Sequence, residues 1–249
     1  VKLAEMTWKE VDQLSKEEVV LIPTGSLEQH GPHLPLFTDS LLVNAVAEAV
    51  ESKLGDRVIM TPIVWLGASG HHLAFAGSLS ASFEGYAHTV FGIVESLLPH
   101  GFRKFYLLNG HGGNTEPNGV IARQLKAENP DSLFGHAGYF DFIDPVVLES
   151  MKGPIKGIRH ACEAESSLMM HLHPELVRTD KLRDDGLEPT PSIKGMIFHF
   201  DELTEEGSMG YATLAEPDLG RRLFESAVKG VVEAMTALAD NPILLGPEK

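Results

Sequence analysis

Apolar residues along this chain fall into short blocks whose spacing switches between two periods. Val19-Val-Leu-Ile-Pro23 is a continuous apolar run, the pattern of a strand buried on both faces. Segments Arg57 to Val64, Phe102 to Leu108 and Leu133 to Phe140 predict three more strands. Between them, apolar positions recur every three or four residues, which gathers them on one side of a helix. Leu41, Leu42, Ala45, Val46, Ala49 and Val50 form one such stripe, opened by Asp39 or Ser40 as a cap and closed by Gly55. Phe83 to Leu98 and Thr115 to Glu128 predict two further helices. Ala164 to Leu172 predicts a short one halted by Pro174, and Pro217 to Ala239 a long one with proline in its first turn. Leu66 to Ser80 reads as a loop rich in Gly, Ser and His. Thr179 to Glu206, rich in Pro, Asp, Glu and Gly without a period, reads as a surface excursion.

Strands alternating with helices across short connections predict one α/β domain over residues 1–249: a mostly parallel sheet flanked by helices on both faces. In such sheets ligands sit outside the carboxyl ends of the strands. The chain is long enough to bury a core without disulfides or a structural metal. Any metal here is therefore expected to serve chemistry. With 20 basic against 35 acidic residues the net charge is −15, which argues against nucleic acid and membrane surfaces as partners and leaves a small-molecule substrate. Cys162 is the one cysteine, the first residues lack a signal-peptide pattern, and no apolar run could span a bilayer. A cytoplasmic protein is the expectation.

Three polar clusters carry candidate chemistry. The first is Gly25-Ser-Leu-Glu28-Gln-His30-Gly-Pro-His33-Leu-Pro-Leu-Phe-Thr-Asp39. Glu28 and His30 lie two apart, so on an extended segment they share a face, and Pro32 and Pro35 hold the segment extended until Asp39 returns to the same region. The second, Asn109-Gly-His111-Gly-Gly-Asn114, bends the backbone sharply around an unobstructed imidazole. The third is His160-Ala-Cys-Glu163-Ala-Glu165-Ser-Ser167. Carboxylates and imidazoles without thiolates suit Zn²⁺, Mn²⁺ or Fe²⁺ in a reactive site. The remaining histidines read singly as structural or solvent-facing, with His33 and His72 nearest the cluster loops as supporting groups.

Taken together, Glu28-Gln-His30-Gly-Pro-His-Leu-Pro-Leu-x-Thr-Asp39, Asn109-Gly-His111-Gly-Gly-Asn114 and His160-Ala-x-Glu-x-Glu165-Ser-Ser resemble the creatininase (creatinine amidohydrolase) family. The resemblance implies two divalent ions, zinc or manganese with iron as a further option, in an amidohydrolase acting on non-peptide C–N bonds through a metal-activated water. It implies Glu28 and His111 as ligands of one ion, His30 of the other, and Asp39 bridging. Where creatininase has a glutamate completing the second site, this chain has Gly113, and Glu165 is the replacement, with Glu163 in reserve. His160 matches a histidine that the family places beside the substrate as a proton-transfer or orienting group; Ser78, Phe140 and Glu163 stand as substrate contacts. The family also implies a homo-oligomer, a hexamer built from dimers. The tryptophans that enclose creatinine are missing from Gly138-Tyr-Phe140-Asp-Phe and Lys156-Gly-Ile-Arg159-His160, and Arg159 replaces an acidic residue. A cyclic or formamide substrate other than creatinine is the expectation. Opening of a cyclic inositol ketone, creatinine hydrolysis itself and a metal-binding homologue without turnover are the alternatives. A lyase or isomerase using the same ions is another, and an arginase-like site lacks its Asp-x-His-x-Asp run here.

Overall fold

The computed structural model describes residues 1–187 and 195–241; residues 188–194 of the polar excursion lie outside the described residues. Strand β1 (Val19–Thr24) is buried at every position. Val19 and Leu21 face one layer of helices, while Val20 and Ile22 face the other. That two-sided burial is why the run shows no polar alternation. Parallel neighbours flank it: β2 (Val58–Met60) on one side and β3 (Lys104–Asn109) on the other, with β4 (Leu133–Gly138) pairing outside β3. The sheet order is β2-β1-β3-β4.

The predicted second strand is cut short. Thr61 still donates to Leu21, but Pro62 has no N–H to offer, and contact resumes only where Val64 N donates to the Pro23 carbonyl at 2.9 Å. The other strands shift by a residue or two at their ends. Two short helices absent from the sequence reading, α1 (Trp8–Gln13) and α5 (Pro145–Glu149), are held by local caps: Thr7 N to Glu10 at 2.6 Å, and Val146 N to Asp144 at 2.8 Å.

The predicted long helices are present: α2 (Thr38–Leu54), α3 (Phe83–Leu97), α4 (Thr115–Glu128), α6 (Glu163–Leu172) and α7 (Pro217–Asp240). Helices α2, α6 and α7 cover one face of the sheet, and α3 and α4 the other. The α7 stripe Leu219, Leu223, Ala227, Val231 and Met235 is fully buried, each such aliphatic side chain contributing about 1.5–3 kcal/mol relative to exposure. Helices α6 and α7 approach so closely that a Cβ on Gly220 would lie 1.9 Å from the Ser167 carbonyl oxygen. Only glycine fits there. Among the described residues, no helix is long and apolar enough to cross a membrane.

This topology decides where a site can form. From β1 the chain crosses outward to β2, then returns past β1 to β3, so the winding direction reverses between β1 and β3. Loops leaving the carboxyl ends of those two strands diverge and open a crevice. The first and second polar clusters are those loops.

Candidate metal centre

Glu28 anchors the crevice. Its backbone N–H donates to the Leu36 carbonyl at 2.8 Å, folding residues 28–36 into a closed loop with Gly31 in the left-handed region. The loop delivers Asp39 into the first turn of α2, where the helix dipole favours a carboxylate. Asp39 is therefore not a cap, contrary to the sequence reading; the cap position is Phe37, with no side-chain bond. Its carboxylate faces inward instead. Oδ1 lies 2.9 Å from His30 Nε2, Oδ2 lies 2.9 Å from His111 Nδ1, and Oδ2 also accepts from Ser26 at 2.8 Å. Ser40 likewise caps nothing and donates to the Ser26 carbonyl.

Backbone carbonyls orient both imidazoles. His30 Nδ1 sits 3.1 Å from the Glu28 carbonyl, which assigns the ring proton to Nδ1 and turns Nε2 toward Asp39. His111 Nε2 sits 3.2 Å from the Ala68 carbonyl, turning Nδ1 toward the carboxylates. In each case a carbonyl fixes the tautomer that leaves the inward nitrogen as a ligand, the usual support of a metal-binding histidine. The Asn109 side chain clamps the second loop at both ends of His111, accepting from its N–H at 3.0 Å and donating to its carbonyl at 2.6 Å. A Cβ on Gly113 would stand 2.5 Å from His111 Nε2 and from the Ala68 carbonyl oxygen. A glutamate at that position would need a differently placed loop.

The third cluster closes the site from α6. Glu165 Oε2 accepts from Ala161 N at 2.5 Å and lies 3.9 Å from His30 Nε2. Ala161 adopts φ 50°, a left-handed conformation uncommon for a residue bearing a Cβ; it turns the chain from His160 into α6. His160 Nε2 lies 2.7 Å from the Gln29 carbonyl, so Nε2 carries the proton and the bare Nδ1 faces Glu28 at 3.7 Å. Three donor triads result: Glu28, Asp39 and His111; His30, His160 and Glu165; Glu28, His72 and His160.

The electrostatics are those of a site built for cations. Burial opposes the charged form of His30, yet the neighbouring Asp39 carboxylate outweighs it and raises the pKa to about 9. His111 is raised well above the usual range by Glu28 and Asp39 in the same way. Burial would raise Asp39, but His30 and His111 hold it well below the carboxylate range. Glu165 moves the other way, to about 8, because burial and the Asp39 charge oppose its ionisation. His160 and His72 are held far below the imidazole range, chiefly by burial. Two imidazolium protons thus sit between carboxylate oxygens and ring nitrogens, where divalent cations would displace them. Both Glu28 oxygens are buried without a hydrogen-bond partner, although His111 Nδ1 and His72 Nε2 lie 3.1 and 3.2 Å from Oε1. His111 aims its proton at Asp39, which leaves the Glu28 carboxylate without a hydrogen bond. A buried carboxylate in that state is costly unless a cation faces it. The donor set fits divalent metal.

Two anticipated substrate contacts fall elsewhere. Glu163 accepts from the backbone N–H groups of Lys152 at 2.6 Å and Gly153 at 2.8 Å, so its carboxylate pins the 151–153 turn and is absent from the donor triads. Ser78 accepts from Gln29 N at 3.0 Å and supports the first loop from behind. Neither lines the cavity. Phe140 does, in a cleft of about 320 Å³ that also exposes His71, His72, Ile158, Arg159, Phe200 and Met209. Sequence reading passed over His71, which stacks over His111. It gave His72 only a supporting role, although His72 completes a donor triad. Phe200 was missed altogether: from within the supposed surface excursion it stacks on His72 at 4.1 Å and meets His160 edge-on at 4.6 Å. Gln29 was missed too; its amide nitrogen reaches His72 Nδ1 and the Gly207 carbonyl, both at 2.8 Å. The only signal for it was its place between Glu28 and His30.

Comparison with known proteins agrees with this fold. The sequence pattern of the creatininase family, described as creatinine amidohydrolase, matches residues 4–235. A mycofactocin precursor peptide peptidase of Mycobacterium ulcerans is 33% identical over 235 residues, 90% of this chain and 86% of that protein. A creatinine amidohydrolase of Pseudomonas putida is 30% identical, covering 94% and 96%. The crystal structure of a creatinine amidohydrolase superposes with a TM-score of 0.85 at 28% identity, over 97% of this chain and 99% of that one; creatininases solved in this fold include a manganese form and a zinc–zinc form. The chain belongs to the creatininase family. It is a hydrolase of that family, built on a parallel four-stranded sheet flanked by helices.

Proposed function

We propose that this hydrolase depends on two divalent ions, zinc or manganese, and cleaves a C–N amide bond in a small substrate. The orphaned Glu28 carboxylate carries the reading: both oxygens are buried and unpartnered among three histidines. Glu28, Asp39 and His111 would hold one ion; His30 and Glu165 would hold the other, with the second oxygen of Asp39 between them. Such ions, when bound, acidify water and polarise a carbonyl.

The chain's own residues do the rest. His160 has Nδ1 bare and facing the donor cluster, which places it to pass a proton from there to the departing nitrogen. The Gln29 carbonyl keeps that ring in the required tautomer. Gln29 also ties the first loop to Gly207, and Phe200 covers His72 and His160 against water. No serine or cysteine nucleophile is needed; Cys162 is buried, with its thiol pushed up to about 11.

The pocket lacks tryptophan, which supports a substrate other than creatinine. The 33% identity to a peptide peptidase favours a second form of the same reading, in which the amide is peptide-derived. The test is elemental analysis of the purified protein, then zinc or manganese reconstitution and assay on creatinine, formamides, cyclic amides, a cyclic ketone and short peptides. Hydrolysis lost to chelator and restored by metal is expected. A metal-free protein with full activity would sink the proposal.

A further inference from the structure

The cleft beside the donor cluster contains one cation that the metal centre does not use. Among the described residues, Arg159 makes a single hydrogen bond, from its backbone N–H to Cys162 Sγ at 3.2 Å, and its guanidinium has no partner. Arg57, Arg103, Arg183, Arg221 and Arg222 each pair with a carboxylate, whereas the arginine lining the cleft does not. Arg159 is exposed and lines the same cleft as His160, its immediate neighbour in the chain. Phe140, Ile158, Phe200 and Met209 supply apolar wall. A ligand lying there meets the proton-transfer histidine, an apolar surface and an unneutralised planar fork.

We propose that Arg159 receives a carboxylate of the substrate, which makes the substrate an N-acyl amino acid or a short peptide cut before its last residue. Arginine matches a carboxylate with two parallel hydrogen bonds, and one carbon separates such a carboxylate from the nitrogen of the scissile amide. Arg159 and His160 are consecutive in the chain and line the same cleft, so one ligand can meet both. Water adds to the acyl carbon, the C–N bond breaks, and the proton passes to the nitrogen of the departing amino acid; no oxidant or second substrate is involved. This rests on the hydrolase reading above and adds to it the identity of the leaving group.

The test uses N-acetyl-phenylalanine and its carboxamide, titrated calorimetrically into the full chain as purified, with hydrolysis followed separately by chromatography. The free acid is expected to bind at least about tenfold more tightly than the amide. R159Q should erase that difference and R159K should keep part of it, since lysine retains charge without the fork. Absent or equal binding of the acid, or a preference that survives R159Q, overturns the assignment. An Arg159-dependent preference without turnover of either probe or any other amide after metal reconstitution would leave this subsite standing and end the hydrolase reading; turnover without the preference would do the reverse.

Discussion

The floor and the roof of the cleft are built on different terms. The floor is two loops leaving β1 and β3, and within it Glu28, His30 and Asp39 lie twelve positions or fewer apart. Backbone carbonyls orient the two floor imidazoles, His30 by that of Glu28 and His111 by that of Ala68, and the Asn109 side chain clamps the His111 backbone. The roof is Arg159, His160, Phe200 and Met209, gathered from separate segments and joined to the floor through Gln29, which reaches His72 and Gly207. Floor residues are buried and rigidly bonded. Roof residues are partly exposed, and His160 and Phe200 meet edge-on. The contrast teaches that the proposed ion ligands lie mostly below and the proposed recognition surface above, with His160 the roof residue that shares in the proposed chemistry.

Substitutions can break that division. Asp39→Ala, in the floor, removes the group shared by His30 and His111. Metal affinity should fall by more than about 100-fold, beyond what losing an outer hydrogen-bond partner costs a metal site, and hydrolysis should vanish with it. Elemental analysis after dialysis reads the first and a metal-supplemented assay the second; full metal content in D39A would mean the floor does not hold the ions. Gly113→Ala tests the same region by steric means. Its Cβ would press on backbone at Ala68, so unfolding in denaturant should show a loss of about 1–3 kcal/mol. A neutral result would show that this loop is not clamped.

A roof change should act differently. Phe200→Ala removes the stack on His72 and His160, worth about 0.5–1.5 kcal/mol beyond area burial. It should raise KM several-fold while leaving metal content untouched. If F200A instead lost metal, the separation of roof from floor would fail.

The smallest effect concerns His33, beneath the floor loop. Burial lowers its pKa to about 4, and its Nδ1 has no partner to receive a proton's hydrogen bond. In the unfolded chain the ring titrates near 6.5. Between pH 6.5 and 4 the unfolded state therefore binds the proton that the folded state refuses, and stability falls as pH falls through that window. His33→Gln keeps an N–H for the Ala161 carbonyl that His33 Nε2 now contacts. Melting curves from pH 7 to 4.5 should show a shallower decline for H33Q than for the parent; parallel declines would remove His33 from the account.

Legibility in the sequence followed the same division. Strand β1, its two-sided burial and the α2 and α7 stripes were readable because one periodicity dominated each stretch. The floor residues were readable because a closed loop places neighbours in sequence close in space. Asp39 was misread as a cap because a carboxylate at a helix start looks the same whether it turns to the backbone or into a crevice. Glu163 and Glu165 are indistinguishable by type and differ only in what faces them: backbone N–H groups of 152 and 153 for one, and His30 for the other. Phe200 carried no signal, since a lone aromatic in a polar stretch is silent about its contacts.

What the sequence alone determined is therefore local: alternating strands and helices, a parallel sheet, and loops of carboxylate and imidazole at strand ends. Those follow from periodicity and backbone preference, which act over a few residues. Tertiary structure decided which carboxylate is left without a hydrogen bond, which arginine lines the cleft, and which distant aromatic closes it. Such outcomes depend on long-range packing and on the summed field of groups far apart in the chain, and no short window of residues contains them.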